Sequence, residues 1–134
     1  MSLSFNLADL WEAVLPKVAD RTAVIVDERS ETFAELEERA NRLAHHLAGL
    51  GVGPGDHVGC YLYNCVEYLE TMLAAWKLRA VPINVNYRYV ADELAYLCAD
   101  ADLKVLVHDV EFADRVAAIR DRVPTLVATL SVGE

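Results

Sequence analysis

From Asp56 onward, short apolar runs rich in β-branched residues return about every twenty residues, and segments of helical period fill the gaps between them. His57-Val-Gly-Cys-Tyr-Leu62 reads as a strand, and Asn64 then caps a helix carrying Val66, Leu69, Met72, Leu73 and Trp76 on one face. Val81 to Val85 is the next strand, and Leu94, Leu97, Cys98 and Ala101 mark the next helix. Lys104 to His108 is a strand, Phe112, Val116, Ile119 and Val123 a helix, and Thr125 to Leu130 a last strand. Strands that are apolar without alternation must be covered on both faces, and helices between them make right-handed parallel crossovers. The rhythm therefore predicts an α/β fold with a mostly parallel, doubly wound sheet and flanking helices over residues 56–134.

Residues 7–55 form a different lead-in: helix, hairpin, helix. Leu7, Leu10, Trp11, Val14, Leu15 and Val18 have helical spacing behind Asn6 as N-cap, with Asp9 three residues on and Pro16 set to end or kink the helix. Thr22 to Val26 is β-branched, and Asp27-Glu-Arg-Ser30 is a polar turn leading to Thr32, so a short hairpin is expected. Thr32-Phe-Ala-Glu35 is a capping box, and Phe33, Leu36, Ala40, Leu43, Leu47 and Leu50 then recur at steps of three and four. The run Gly49-Leu-Gly51-Val-Gly53-Pro54-Gly55-Asp56 follows a helix and precedes a strand. A dinucleotide-type phosphate loop requires the reverse order, so these glycines read as helix-end and turn residues.

At 134 residues the chain is one domain long, and 54% hydrophobic content with 25% charge fits a globular protein. No apolar run approaches the roughly 20 residues of a membrane-spanning helix, and no basic, then apolar leader opens the sequence, so the expected location is the cytoplasm. Cys60, Cys65 and Cys98 make an odd count, which fits reduced thiols; Cys60 and Cys98 fall at apolar positions of a strand and a helix and read as small core residues. No second close pair of Cys or His supplies zinc spacing, and the adjacent His45 and His46 point about 100° apart on their helix. A net charge of −9 argues against nucleic acid and anionic membranes as partners. The acidity, at positions such as Glu35, Glu37 and Glu38, reads as solvent-facing.

In open α/β sheets ligands bind beyond the carboxyl ends of strands, which singles out Tyr63 and Asn64, the stretch Asn84 to Arg88, and His108 with Asp109. Val81-Pro-Ile-Asn-Val-Asn-Tyr-Arg-Tyr89 is the richest of the three: it begins as a buried strand and turns into amides, tyrosines and a guanidinium. Asn84, Asn86 and Arg88 are the candidate site residues. Two readings stand side by side. In one, the loop lines or orders a ligand cavity; in the other, its amides bond neighbouring backbone, its tyrosines pack and Arg88 pairs with a carboxylate. No catalytic, cofactor-binding or metal-ligating residue is assigned. Ser2, Ser4, Ser30 and Ser131 lie at termini or in a turn and not in a nucleophile elbow, no cysteine has an activating histidine in pattern, and no Gly/Ser/Thr-rich loop with a lysine occurs.

From Leu7 to about Leu130 the sequence resembles the N-terminal part of an acyl-CoA synthetase of the AMP-binding, adenylate-forming superfamily, in the family's order. The matching stretches are Thr32-Phe-Ala-Glu-Leu36, Arg39-Ala-Asn-Arg-Leu-Ala44, Leu50-Gly-Val-Gly-Pro-Gly-Asp56, Asn64-Cys-Val-Glu67, Arg79-Ala-Val-Pro-Ile-Asn84, Tyr87-Arg88, Asp92-Glu-Leu-Ala-Tyr-Leu97 and Lys104-Val-Leu-Val107. The resemblance implies that residues 1–134 are an N-terminal fragment of the large AMP-binding domain, an incomplete portion of the adenylate-forming fold. It implies a two-step reaction for the complete enzyme: ATP converts a carboxylate to an acyl-adenylate with loss of pyrophosphate, and the CoA thiol then displaces AMP. The family's phosphate loop, adenine and Mg motifs and C-terminal lysine have no counterpart in these residues, so ATP, Mg and CoA belong to the complete enzyme and none is expected to bind this chain alone. Most members carry glycine at the position of Arg79. Arg79-Ala-Val-Pro with Asn84-Val-Asn-Tyr-Arg-Tyr89 is similar to actinobacterial ligases for fatty acids and steroid side-chain acids, which implies a bulky apolar acid.

The implied partners are the remainder of the ligase and that acid. Apolar surface left uncovered without the remainder leads us to expect self-association. Two alternatives are a truncated homologue with only an interaction role and a receiver-like phosphoacceptor module. Asp27 and Asp109 stand at strand ends as a receiver requires, but its threonine and lysine are missing.

Overall fold

The computed structural model describes residues 5–134; Ser2 and Ser4 lie outside the described residues. Helix α1 (Leu7–Val18) starts where Asn6 Oδ1 accepts the Ala8 N–H at 2.8 Å. Pro16 sits in its last turn, exposed, so the lost donor costs little, and the helix stops two residues on at Val18. Strands β1 (Thr22–Val26) and β2 (Arg29–Thr32) pair antiparallel, and Asp27 takes a positive φ of 53° in the turn. Helix α2 (Phe33–Gly49) opens on the expected capping box: Thr32 Oγ1 accepts from the Glu35 N–H, and Glu35 accepts from the Thr32 N–H.

A four-stranded parallel sheet follows, in the order β4-β3-β5-β6. Its strands are β3 (His57–Tyr61), β4 (Val81–Asn84), β5 (Leu103–Asp109) and β6 (Ala128–Val132). Helices α3 (Val66–Lys77), α4 (Ala91–Asp100) and α5 (Ala113–Ile119) make the connections. The last strand lies three residues later than its sequence pattern suggests. Leu126 is spent on the α4/α5 core, and Thr125 donates its hydroxyl to the Leu103 carbonyl at 3.0 Å before pairing begins. Asn64 does not cap α3. Cys65 occupies the N-cap position, without a side-chain bond.

The sheet is covered on both faces. Leu94, Ala95 and Cys98 of α4 and Val116 and Ile119 of α5 pack on Tyr61, Val85, Leu103 and Leu106. On the other face Ala44 and Leu47 of α2 and Ala74 and Ala75 of α3 meet Val58, Leu62, Val105 and Val107. A third cluster joins Leu36, Ala40, Val66 and Leu73 to Trp11, Val24 and Trp76, fixing α1 and the hairpin against α2 and α3. Gly59, in the middle of β3, has no room for a side chain, because a Cβ there would lie 2.6 Å from Leu103 Cδ1 and 2.8 Å from Leu106 Cδ1.

Helices α2 and α3 end in the same way. The Gly51 N–H bonds the Ala48 carbonyl and the Val52 N–H bonds that of Leu47; the Arg79 N–H bonds Trp76 and the Ala80 N–H bonds Ala75. The closing residue is left-handed in both, Gly51 at φ 91° and Arg79 at φ 60°, and Asp102 after α4 takes φ 47°. An arginine costs more than glycine in that conformation. Here the guanidinium spans to α1, where it meets Asp9 Oδ1 at 2.6 Å.

The expectation that the acidic residues face solvent fails most clearly at Glu37 and at Glu31, Glu67 and Glu70. Glu37 is half-buried and accepts from Trp11 Nε1 at 2.6 Å and Lys77 Nζ at 2.7 Å. Glu31, Glu67 and Glu70 are gathered around Arg29 and Arg39, with Glu70 only 5% and Glu31 7% exposed. This network ties β2 and α2 to α3. Burial pushes the Glu67 carboxyl up, but the hydrogen bond from Arg29, its own backbone N–H and the charges of both arginines outweigh that and leave it below the ordinary carboxylate value. A carboxyl with a depressed folded pKa adds stability above its unfolded pKa and loses it as pH falls through the folded value. Thermal unfolding followed across pH 7 to 3 therefore declines below about pH 4.5. Glu67→Gln lowers neutral-pH stability by about 1 kcal/mol and flattens the decline; an unchanged acid profile would remove Glu67 from this role.

Candidate functional site

From β3 the chain passes through α3 to β4 on one side, then crosses back through α4 to β5 on the other. The reversal between β3 and β5 makes their carboxyl ends the switch point of the sheet, the place where doubly wound sheets form a ligand crevice. All three stretches singled out in the sequence border this edge, but they do different work.

His108 and Asp109 shape the backbone. His108 is buried, with Nδ1 2.8 Å from the Asp109 carbonyl, and Asp109 Oδ1 accepts the Glu111 N–H at 2.9 Å to start the short 3-10 turn Val110–Phe112. Tyr63 enters the crevice. Its ring centroid lies 5.0 Å from that of Phe112 and 5.1 Å from that of Tyr87, and its hydroxyl donates to Glu111 Oε2 at 3.3 Å. Desolvation and the Glu111 charge push the Tyr63 phenol above its ordinary value.

The three candidate residues are separated by the loop. Asn84 ends β4 and accepts the Tyr68 hydroxyl at 2.7 Å, which ties it to α3. Asn86 accepts the Arg88 N–H on its side chain at 3.0 Å, while its carbonyl accepts the Tyr89 N–H at 3.0 Å, so the asparagine shapes its own turn. Arg88 pairs with no carboxylate among the described residues. Its guanidinium carbon stands 5.5 Å from the Tyr87 ring centroid. Asn86 and Arg88 are exposed at the lip of the crevice, whereas Asn84 faces α3.

Two residues that the sequence reading did not single out hold this edge together. Tyr61, fully buried at the end of β3, donates its hydroxyl to the Tyr89 carbonyl at 2.6 Å. Arg115 Nη1 donates to the Tyr61 hydroxyl at 3.1 Å and to the Tyr87 carbonyl at 3.0 Å. The only hint of Arg115 in the sequence is a cation three residues after an apolar Phe112, hence on the same helix face. The edge thus offers two aromatic faces, Tyr63 and Tyr87, each about 40% exposed, with an amide and a guanidinium beside them.

It offers no activated nucleophile. Burial, with a smaller contribution from Cys65, pushes the Cys60 thiol up to about 12, and burial pushes Cys98 up to about 11. No group of three or more His, Cys, Asp or Glu among the described residues is arranged to hold a metal. The receiver-like alternative loses its geometry: Asp27 lies in the turn of the β1–β2 hairpin, a sheet separate from the one that Asp109 ends.

Comparison with known proteins is concordant. The family described as AMP-binding enzyme matches residues 11–133. The 3-oxocholest-4-en-26-oate–CoA ligase of Rhodococcus rhodochrous is 47% identical over 98% of this chain, and a medium/long-chain-fatty-acid–CoA/3-oxocholest-4-en-26-oate–CoA ligase of Mycobacterium marinum is 46% identical over the same share. This chain spans 24% of the length of each. Among solved structures, the anthranilate CoA ligase AuaEII in complex with anthranoyl-AMP superposes on 99% of this chain, and this chain on 26% of it, with a TM-score of 0.93 at 29% identity. The order of motifs, the doubly wound sheet and these matches lead to one conclusion: the chain belongs to the AMP-binding enzyme family.

Proposed function

We propose that these residues are the N-terminal scaffold of an ATP-dependent ligase that joins a bulky apolar carboxylic acid to CoA through an acyl-adenylate, releasing pyrophosphate and then AMP. The observation that carries this reading is near-complete coverage of the chain at 47% identity by a steroid-acid CoA ligase of which it spans 24%. The carboxyl edge supplies the acyl side of the site. Tyr63 and Tyr87 present apolar faces, while Asn86 and Arg88 border them and Asn84 fastens the loop to α3. ATP, Mg and CoA act in the complete enzyme. The described residues hold neither a phosphate loop nor a metal-binding group, so no step through ATP or Mg is assigned to them. A cytoplasmic setting, where both cosubstrates are available and the three thiols stay reduced, fits this role.

The segment alone is inactive on this reading. Incubated with a long-chain fatty acid or a steroid side-chain acid, ATP, Mg and CoA, the purified 134-residue chain forms no thioester above a buffer control by mass spectrometry; turnover above that control would contradict the scaffold role.

Its apolar surface points to association. Leu7, Leu10 and Val14 line one exposed face of α1, each more than half exposed, and Ile25 and Val127 add to the uncovered area. Sedimentation at high concentration is expected to show a dimer or larger species, and a clean monomer would overturn this part of the reading.

A further inference from the structure

The Val85–Val90 loop turns two backbone carbonyls, those of Tyr87 and Tyr89, toward the first turn of α5. Arg115 Nη1 donates to both, at 3.0 and 3.4 Å, and also to the Tyr61 hydroxyl at 3.1 Å. Tyr61 in turn donates to the Tyr89 carbonyl at 2.6 Å, which closes a triangle between β3, the loop and α5. The guanidinium carbon stands 5.0 Å from the Phe112 ring centroid, and Phe112 packs on both Tyr61 and Tyr63. Arg115 has no carboxylate ion-pair partner among the described residues. Its charge is directed at loop carbonyls, a phenol and a ring face. Charge-assisted bonds of this kind are about twice as strong as neutral ones, and a single nitrogen, Nη1, gathers all three acceptors.

We propose that Arg115 is the positioning residue of this edge, holding the Val85–Val90 loop so that Tyr63 and Tyr87 form one preformed wall for the apolar part of the acid. The inference rests on the ligase reading and deepens it: Arg115 does not touch substrate but sets the residues that do. Without Arg115, the Tyr87 and Tyr89 carbonyls lose their shared donor, and the middle of the loop keeps the Asn86 turn and the Tyr61 hydroxyl while its ends stay tied through Asn84, Val85 and Val90.

The test has two arms. In the 134-residue chain, amide hydrogen exchange by NMR compares Arg115→Gln and Arg115→Lys with the parent, and uses Arg120→Gln, which alters an exposed arginine near the end of the same helix, as control. Arg115→Gln is expected to speed exchange at Arg88 and Tyr89 about tenfold or more while β3 and β5 amides stay within about twofold, with Arg115→Lys recovering part of the protection. An unchanged loop, or an equal loss of protection throughout the sheet, overturns the proposal. In the ligase-length polypeptide carrying this segment, Arg115→Gln is expected to raise KM for the acid about fivefold with kcat within about twofold, and unchanged kinetics overturn its role at the acid site. If that polypeptide with Arg115 intact forms no thioester, the ligase reading fails, and the exchange arm still decides whether Arg115 holds the loop.

Discussion

Strand β5 has to be buried on both sides, and most of the molecule is arranged to do it. Leu103, Val105, Leu106 and Val107 are each at most 2% exposed, yet they belong to two different cores: successive side chains send Leu106 to the face opposite Val105 and Val107, and the register irregularity between Leu103 and Val105 puts Leu103 on the side of Leu106. A strand of this kind is stable only between two layers of helices. Helices α2 and α3 supply one layer and α4 and α5 the other, and the right-handed crossovers that place them also set the strand order. The crevice between β3 and β5 follows from that order. The same requirement leaves Gly59 no space for a side chain, since β3 must approach Leu103 and Leu106 closely.

Arg79 shows how local chemistry is adjusted to this frame. A left-handed residue is needed to turn the chain from α3 into β4, and a glycine would meet that need without strain. Arginine accepts the strain, and its side chain joins α3 to α1 through Asp9. The network of Arg29 and Arg39 with Glu31, Glu67 and Glu70 makes a similar link from the hairpin and α2 to α3. Glu31 Oε2 nevertheless has no hydrogen-bond partner in its buried position. Breaking such a pair costs more than its formation contributes, so the network serves to fix how the lead-in sits on the sheet.

Elements governed by short-range rules were readable in the sequence. The Thr32 capping box, the Asn6 cap and the parallel βα rhythm from His57 onward all depend on neighbours a few residues away, and each is present. The chemistry of Asn64 suits a cap, but the backbone gives that position to Cys65. The apolar pattern starts the final strand too early because Leu126 is apolar for a different core. At the site, the loop was visible as a change from apolar to polar residues, but its support was not. Arg115 reaches Tyr87 and Tyr89 across more than two dozen residues of chain, and Glu37 meets Lys77 forty residues away. Such pairings are set by packing and leave no local spacing to read.

The resulting picture is a doubly wound sheet whose carboxyl edge carries Tyr63, Tyr87, Asn86 and Arg88. If this fold serves an adenylating ligase, as proposed, sequencing the coding DNA immediately downstream of the Glu134 codon shows an open frame that continues into a Gly/Ser/Thr-rich loop containing a lysine. A stop codon directly after Glu134 would contradict it and leave a partner-binding role for the chain.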